Sequence, residues 1–209
     1  MDKHPVELKK ARSRLYNIFS VLFCQPEVDI QGNSSLYESL SDNLCSLDKG
    51  LVNEALQLKA LFDKYPDNEL LVEYTRLFIG PFKTLAAPYS SIYLDPNGTI
   101  FGLETQWVTE FYNTCGLEIT QSLNDLPDHI AVEMEFLHYL SSQEISEMES
   151  GNPKKAEALF KSQEIFLSHH LKRWAPLFCN QIISETNNDY YRTLALCFKS
   201  FIELGLEQA

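Results

Sequence analysis

From Tyr190 onward, Leu194, Cys197, Phe201 and Leu204 follow at intervals of four, three, four and three. That is the spacing of one face of an α-helix, and the same period governs nearly the whole chain. Leu8, Ala11, Leu15, Ile18, Phe19 and Leu22 form such a stripe near the start. No run of strict alternation competes with it, so the expected fold class is all-α. The 209 residues are 44% hydrophobic, with 13 Phe and 10 Tyr, which is enough apolar surface for a sizeable core and excludes disorder.

Breaks in the period divide the chain into about nine to ten helices. Gly32-Asn33-Ser34 opens a short helix to about Ser46, and a third runs from about Asp48 to Lys64, stopped by Tyr65-Pro66. Asp67-Asn68-Glu69 supplies a cap and first-turn acids for a helix carrying Leu70, Leu71, Tyr74, Leu77 and Phe78, which Gly80-Pro81 ends. An irregular, aromatic-rich loop follows at about 81–100, with Pro81, Pro88, Pro96 and the turn Asn97-Gly98. A loop of this length in a compact protein is usually functional. Leu103–Cys115 reads as a helix closed by Gly116. Asp125-Leu126-Pro127-Asp128 then announces a helix that is apolar on nearly every side and so belongs at the centre. Helices at about 153–171, 173–186 and 189–205 complete the chain. Residues 1–209 are read as one domain, with subdomain breaks conceivable near 81–100 or 150–153.

Charge excludes several classes of function. Seventeen Lys and Arg against 29 Asp and Glu give −12, which repels phosphate backbones and anionic lipid, so no nucleic-acid partner is expected. No stretch approaches the roughly 18 apolar residues of a membrane span. Between Lys83 and Lys154 there is no Lys or Arg, and the acids of that interval account for −11 of the −12. Such a stretch is either a solvated face or a surface that steers a basic partner. The basic residues Lys9, Lys10, Arg12 and Arg14 ahead of Leu15–Cys24 mimic a signal peptide, but Asn17, Ser20 and the following Gln25-Pro26-Glu27 point to the first helix of a cytoplasmic protein. Five cysteines, odd in number and without a CxxC pair, read as small core residues in a reducing compartment.

Motifs for catalysis are sparse. Glu135-Phe136-Leu137-His138 has the E-x-x-H spacing of di-iron helical bundles, but no second copy accompanies it, and a buried polar pair is the plainer reading. A metal-dependent helical enzyme using Glu135 and His138 stays as the alternative. Phosphate loops, dinucleotide fingerprints and the G-x-S-x-G elbow are absent, so no catalytic, cofactor or metal site is expected. His169-His170, beside Lys172 and Arg173, reads as a helix end. Asp128 and His129 fall at the start of the central helix. They are either a capping acid and a core histidine, or a cation acceptor and a donor flanking a crevice. Tyr74, Tyr89 and Tyr93 are likewise either core or the lining of a groove that takes an apolar segment.

Four segments together carry a resemblance. Tyr74-Thr75-Arg76-Leu77-Phe78-Ile79-Gly80-Pro81, Ala87-Pro88-Tyr89-Ser90-Ser91-Ile92-Tyr93, Leu126-Pro127-Asp128-His129-Ile130 and the H-L-x-x-W-x-P-x-F pattern from His170 to Phe178 occur in that order, with Tyr190-Tyr191 opening the last helix. In these the chain resembles the TorD/DmsD family of cytoplasmic redox-enzyme maturation chaperones, with NarJ-type proteins as more distant relatives. The resemblance spans roughly residues 8–205. It implies an all-helical chaperone for an apo-molybdoenzyme of the dimethyl sulfoxide or trimethylamine N-oxide reductase type. Such a chaperone binds the enzyme's twin-arginine leader, and in some cases its body, until the molybdopterin cofactor is inserted. It acts as a monomer or a domain-swapped homodimer. The implied leader crevice comprises Tyr74, Leu77, Phe78, Pro88, Tyr89, Ser91, Tyr93, Asp128 and His129, with Asp128 selecting the basic end. Ala87, where many members have proline, and tyrosines where some carry tryptophan bear on client identity. An acidic adaptor for some other basic protein is the third reading.

Overall fold

The computed structural model describes residues 5–27, 32–80, 83–117 and 125–206. Helices account for 78% of them. They are α1 (Pro5–Leu22), α2 (Ser34–Leu47), α3 (Val52–Lys64), α4 (Asp67–Tyr74), α5 (Ser90–Leu94), α6 (Leu103–Thr114), α7 (Ile130–Glu149), α8 (Pro153–Phe166), α9 (Lys172–Glu185) and α10 (Asp189–Leu204). The only sheet-like pairing among the described residues is one antiparallel bridge between Tyr89 and His129. The fold is all-α.

Local chemistry sets the helix starts. The Asn33 side chain accepts the Ser35 amide, and Asn188 accepts those of Tyr190 and Tyr191, satisfying first-turn N–H groups that have no partner within the helix. α4 starts without such a bond: Pro66 precedes it, where an Asp67 cap was expected.

α7 lies at the centre. It packs along α1 on one side and α8 on the other, while α1 also contacts α2, and α10 lies against α9 and α3. One cluster of buried side chains runs from Leu15 to Ile202. Aromatic residues dominate it: Phe19 stacks on Phe201 at 5.1 Å, and Trp174, Phe166, Phe178 and Phe198 are fully buried. Burying each such ring is worth roughly 1.5–3 kcal/mol. The basic residues of α1 have structural partners, Lys9 with Glu144 at 2.8 Å and Lys10 with Glu149 at 2.9 Å, both acids on α7.

Several sequence expectations need correction. α8 and α9 are not separate. Leu167–Leu171 form a π turn that joins them, so His169-His170 lies inside a continuous helix and not at its end. The loop at 81–100 is irregular only in part, since it contains α5; Pro81 and Phe82 lie outside the described residues. The helix begun by α4 does continue to Gly80 as expected, but its last turn, Thr75–Ile79, is a π turn, which Gly80 ends with φ +67°. Cys179 and Cys197 are buried as expected, but Cys24 is exposed.

Candidate functional site

The start of α7 is tied to the segment in front of α5. The Ser90 amide donates to the Asp128 carbonyl at 3.0 Å, and the Ile130 amide donates to that of Pro88 at 2.9 Å. Tyr112 of α6 braces the same corner by donating its hydroxyl to the Pro127 carbonyl at 2.9 Å. A further bond, Ala86 amide to Leu77 carbonyl at 2.8 Å, fastens the segment to the π turn after α4. The corner is therefore held from three directions.

Between it and the end of α1 opens a hollow of about 830 Å³. Such a volume lies within the usual range of ligand pockets. Tyr74, Phe78, Ile79, Pro88 and Tyr89 supply one apolar wall, and Ala131 and Val132 of α7 supply another. Glu27, Asp125 and Glu135 bring three carboxylates to its lining, which among the described residues contains no Lys or Arg. Asp125 is held in place, since its Oδ1 accepts the Tyr89 hydroxyl at 2.9 Å and the Leu126 amide at 2.8 Å. Burial raises the Tyr74 and Tyr89 hydroxyls well above their ordinary range, with Asp125 adding to the effect, so both are neutral donors at physiological pH. Cys24 is exposed as a residue, but partial desolvation of its thiol raises it, and Glu135, Asp125 and Glu27 reinforce the shift, a sign that all three acids act on the same space.

Of the residues expected at a crevice, Tyr74, Phe78, Pro88, Tyr89 and His129 border this hollow. Leu77, Ser91, Tyr93 and Asp128 stand behind its wall. Leu77 and Ser91 are fully buried. Tyr93 turns away to stack on Trp174 at 5.8 Å. Asp128, also fully buried, accepts the Ser91 amide at 3.0 Å through Oδ2, so it caps α5 and not its own helix. His129 precedes α7, and its ring accepts the Ala131 amide, making it the N-cap of that helix. Both residues thus sit before the first turn of α7, not within it.

Cys24, Gln25, Glu27, Ile79, Asp125, Ala131, Val132 and Glu135 also line the hollow, and none was expected there. For the α7 residues a signal existed: positions 131, 132 and 135 share one helical face. Glu135 and His138 do not converge. Glu135 faces the hollow, whereas His138 Nδ1 lies 2.8 Å from the Ser13 carbonyl on α1. Among the described residues, no group of three or more His, Cys, Asp and Glu side chains is arranged to hold a metal ion.

A second polar cluster lies deep beside this corner. Glu133 Oε1 meets His170 Nε2 at 2.7 Å, and its Oε2 accepts the Trp174 indole N–H at 3.1 Å. Glu104 approaches the other ring nitrogen of His170 at 3.4 Å. These contacts join α6, α7 and the π turn of the long helix.

An all-helical protein with a greasy, acid-lined hollow at the head of its central helix is the class that these features define. Residues 45–180 match the nitrate reductase delta subunit family, and the chain belongs to it, the family to which the TorD and NarJ proteins belong. A chaperone protein TorD from Vibrio cholerae is 28% identical over 135 residues, covering 65% of this chain and 60% of the relative; the match thus spans about three fifths of that protein's length. A TorD from Aliivibrio salmonicida is 26% identical over 205 residues, covering 96% of this chain and 86% of the relative. The same fold occurs in a crystal structure from Archaeoglobus fulgidus described as a redox enzyme maturation protein, with a TM-score of 0.59 and 22% identity over 97% of this chain and 96% of that one.

Proposed function

We propose that the chain is a cytoplasmic maturation chaperone, not an enzyme. Its hollow takes up the twin-arginine leader of a molybdopterin-dependent reductase of the dimethyl sulfoxide or trimethylamine N-oxide reductase type. It holds that leader until the cofactor is in place and export can proceed. The observation that carries this reading is one cavity of about 830 Å³ combining apolar walls with Glu27, Asp125 and Glu135 and, among the described residues, no opposing cation. A twin-arginine leader is an apolar segment preceded by two arginines, and this lining offers a partner to each part. Relatives named as TorD chaperones support the same role. Membership in one continuous core, from Leu15 to Ile202, supports treating the chain as one chaperone domain. Among the described residues no helix is long and apolar enough to cross a membrane.

Occupancy is the physical work. A bound leader is hidden from the translocon and from proteases, yet it must be released, which suits micromolar to submicromolar affinity, about 8–9 kcal/mol. Apolar burial at about 25 cal/mol per Å² supplies most of it before ordering costs. The acids select the basic end through charge-assisted hydrogen bonds. The role that the resemblance gives to Asp128 passes to Asp125, Glu135 and Glu27, because a carboxylate with no exposure cannot reach an arginine.

Calorimetric titration with a panel of twin-arginine leader peptides tests the reading. Binding of at least one leader, weakened when its arginines are replaced by glutamine and when Val132→Asp intrudes on the apolar wall, is the expected result. Failure of every leader to bind the folded protein overturns it.

A further inference from the structure

His129 does two things at once. Its backbone is extended, φ −73° and ψ 138°, and its ring Nδ1 accepts the Ala131 amide at 3.1 Å. A backbone amide can only donate, so Nδ1 must carry a lone pair. The single proton of the neutral ring then sits on Nε2. Adding a second would place N–H against N–H at the positive end of α7.

The ring is also confined. The residues on either side are bonded to Pro88 and Ser90, the His129 amide donates to the Leu126 carbonyl at 3.0 Å, and the Tyr89 ring meets the imidazole edge-on at 5.1 Å. Rotation that would exchange the two nitrogens would break the cap. His129, meanwhile, is one of the residues that line the hollow. Its Nε2 lies 3.6 Å from Asp125 Oδ2, beyond hydrogen-bond reach.

We propose that α7 locks His129 as a neutral Nε2–H donor, and that this donor takes a main-chain carbonyl of the segment bound in the hollow. The proposal rests on the leader-binding reading of that hollow. It divides the labour of the site: carboxylates meet the leader's arginines, while His129 reads the peptide backbone and carries no charge. Ionisable groups neighbour the ring or share the lining of the hollow with it. Asp125 and Asp128 come from its own turn, Tyr89 from the facing segment, Glu135 from α7, and Cys24 and Glu27 from the chain after α1. Asp125 and Asp128 favour a protonated ring, but burial outweighs them and holds His129 below its ordinary value.

Two variants separate cap from donor. His129→Asn retains an acceptor where Nδ1 stood, and Asn is a good N-cap, but it lacks a donor at the Nε2 position. We expect unchanged thermal stability and roughly tenfold weaker leader binding, the worth of one buried hydrogen bond, at every pH. His129→Gln puts an amide near Nε2 but caps poorly, so it loses stability while the folded protein keeps most of its affinity. Long-range ¹H–¹⁵N spectra of the free protein should show the Nε2–H tautomer from about pH 8 to about pH 5.5, across the range where an ordinary histidine charges. An Nδ1–H tautomer or an imidazolium in that range overturns the lock. His129→Asn binding as tightly as the wild type overturns the donor role. If no leader peptide binds the wild type, the leader reading fails and the donor role with it, while the spectra still decide the lock.

Discussion

The carboxylate of Asp128 accepts the backbone amide of Ser91 at 3.0 Å, with both residues fully buried. One side chain thus clasps the head of α5 to the head of α7. The wall of the hollow depends on this clasp, because Pro88 and Tyr89 lie immediately before α5.

Asp128→Ala leaves the Ser91 amide buried without a partner, a loss of about 1–3 kcal/mol. Asp128→Asn retains an acceptor oxygen and should lose less than half of that. Urea unfolding followed by circular dichroism reads both. At matched folded fraction, Asp128→Asn should bind leader peptides as the wild type does. A large affinity loss there would return Asp128 to direct contact with the ligand.

Gly80 governs the other end of the same wall. Its φ of +67° closes the π turn through a bond to the Thr75 carbonyl, and a Cβ placed there would meet the Lys83 carbonyl oxygen at 2.5 Å. Backbone has no flexible end to move aside. Gly80→Ala should therefore cost about 1–3 kcal/mol, seen as a lowered melting temperature. An unchanged melting temperature would mean that the turn relaxes freely.

The helical period carried the architecture: α10 was expected at about 189–205 and spans Asp189–Leu204, and the apolar-all-round pattern of α7 pointed to the centre. The joint between α8 and α9 was not legible, since His169-His170 beside Lys172 and Arg173, ahead of Pro176, read as a helix end. In the structure a π turn precedes that proline and the helix continues. At the hollow, motif proximity did not reveal which side chains form the lining. Successive residues in an extended segment point to opposite sides, so Asp128 turns inward while His129 borders the hollow; Ser91, already within α5, is buried, whereas Tyr89, just before that helix, lines the wall. Glu135 drew attention for its spacing to His138 and not as a lining residue, because a helix apolar on every side does not reveal which face meets a cavity.

Glu135→Gln and Asp125→Asn each remove one carboxylate from the lining of the hollow. Exposed charge pairs are worth only about 0.2–1 kcal/mol each, but summed fields steer association. Each variant should weaken binding of a twin-arginine peptide roughly two- to fivefold at low salt, mainly through the association rate. The difference should shrink as ionic strength rises toward physiological values. Glu135→Gln should leave stability unchanged. Stopped-flow association over a salt series decides the matter: equal rates for variants and wild type at low salt would remove the acids from recognition.

Acid and base stability should be governed by Glu133 and His170. Burial raises Glu133 from 4.5 to about 7. Burial alone would lower His170, but Glu133 and Glu104 override it and hold the ring up, from 6.5 to about 9. A group whose pKa is higher folded than unfolded binds more protons in the native state, so it stabilises at low pH and ceases to as pH climbs through the folded value. The Glu133 contribution is accordingly lost between 4.5 and about 7, and that of His170 between 6.5 and about 9. Glu104, whose carboxyl the His170 hydrogen bond holds below its ordinary value against partial burial, acts in the opposite sense only in acid. The unfolding free energy should thus fall from about pH 6.5 to about pH 9 by on the order of 2–3 kcal/mol. His170→Gln, which cannot titrate, should be less stable at pH 6.5 and flatten most of that decline, because each cysteine or lysine that titrates elsewhere does so equally in both proteins. Urea midpoints taken at steps across this range measure the slope, and a wild-type curve that is level or rising with pH would show that the buried pair does not hold its proton.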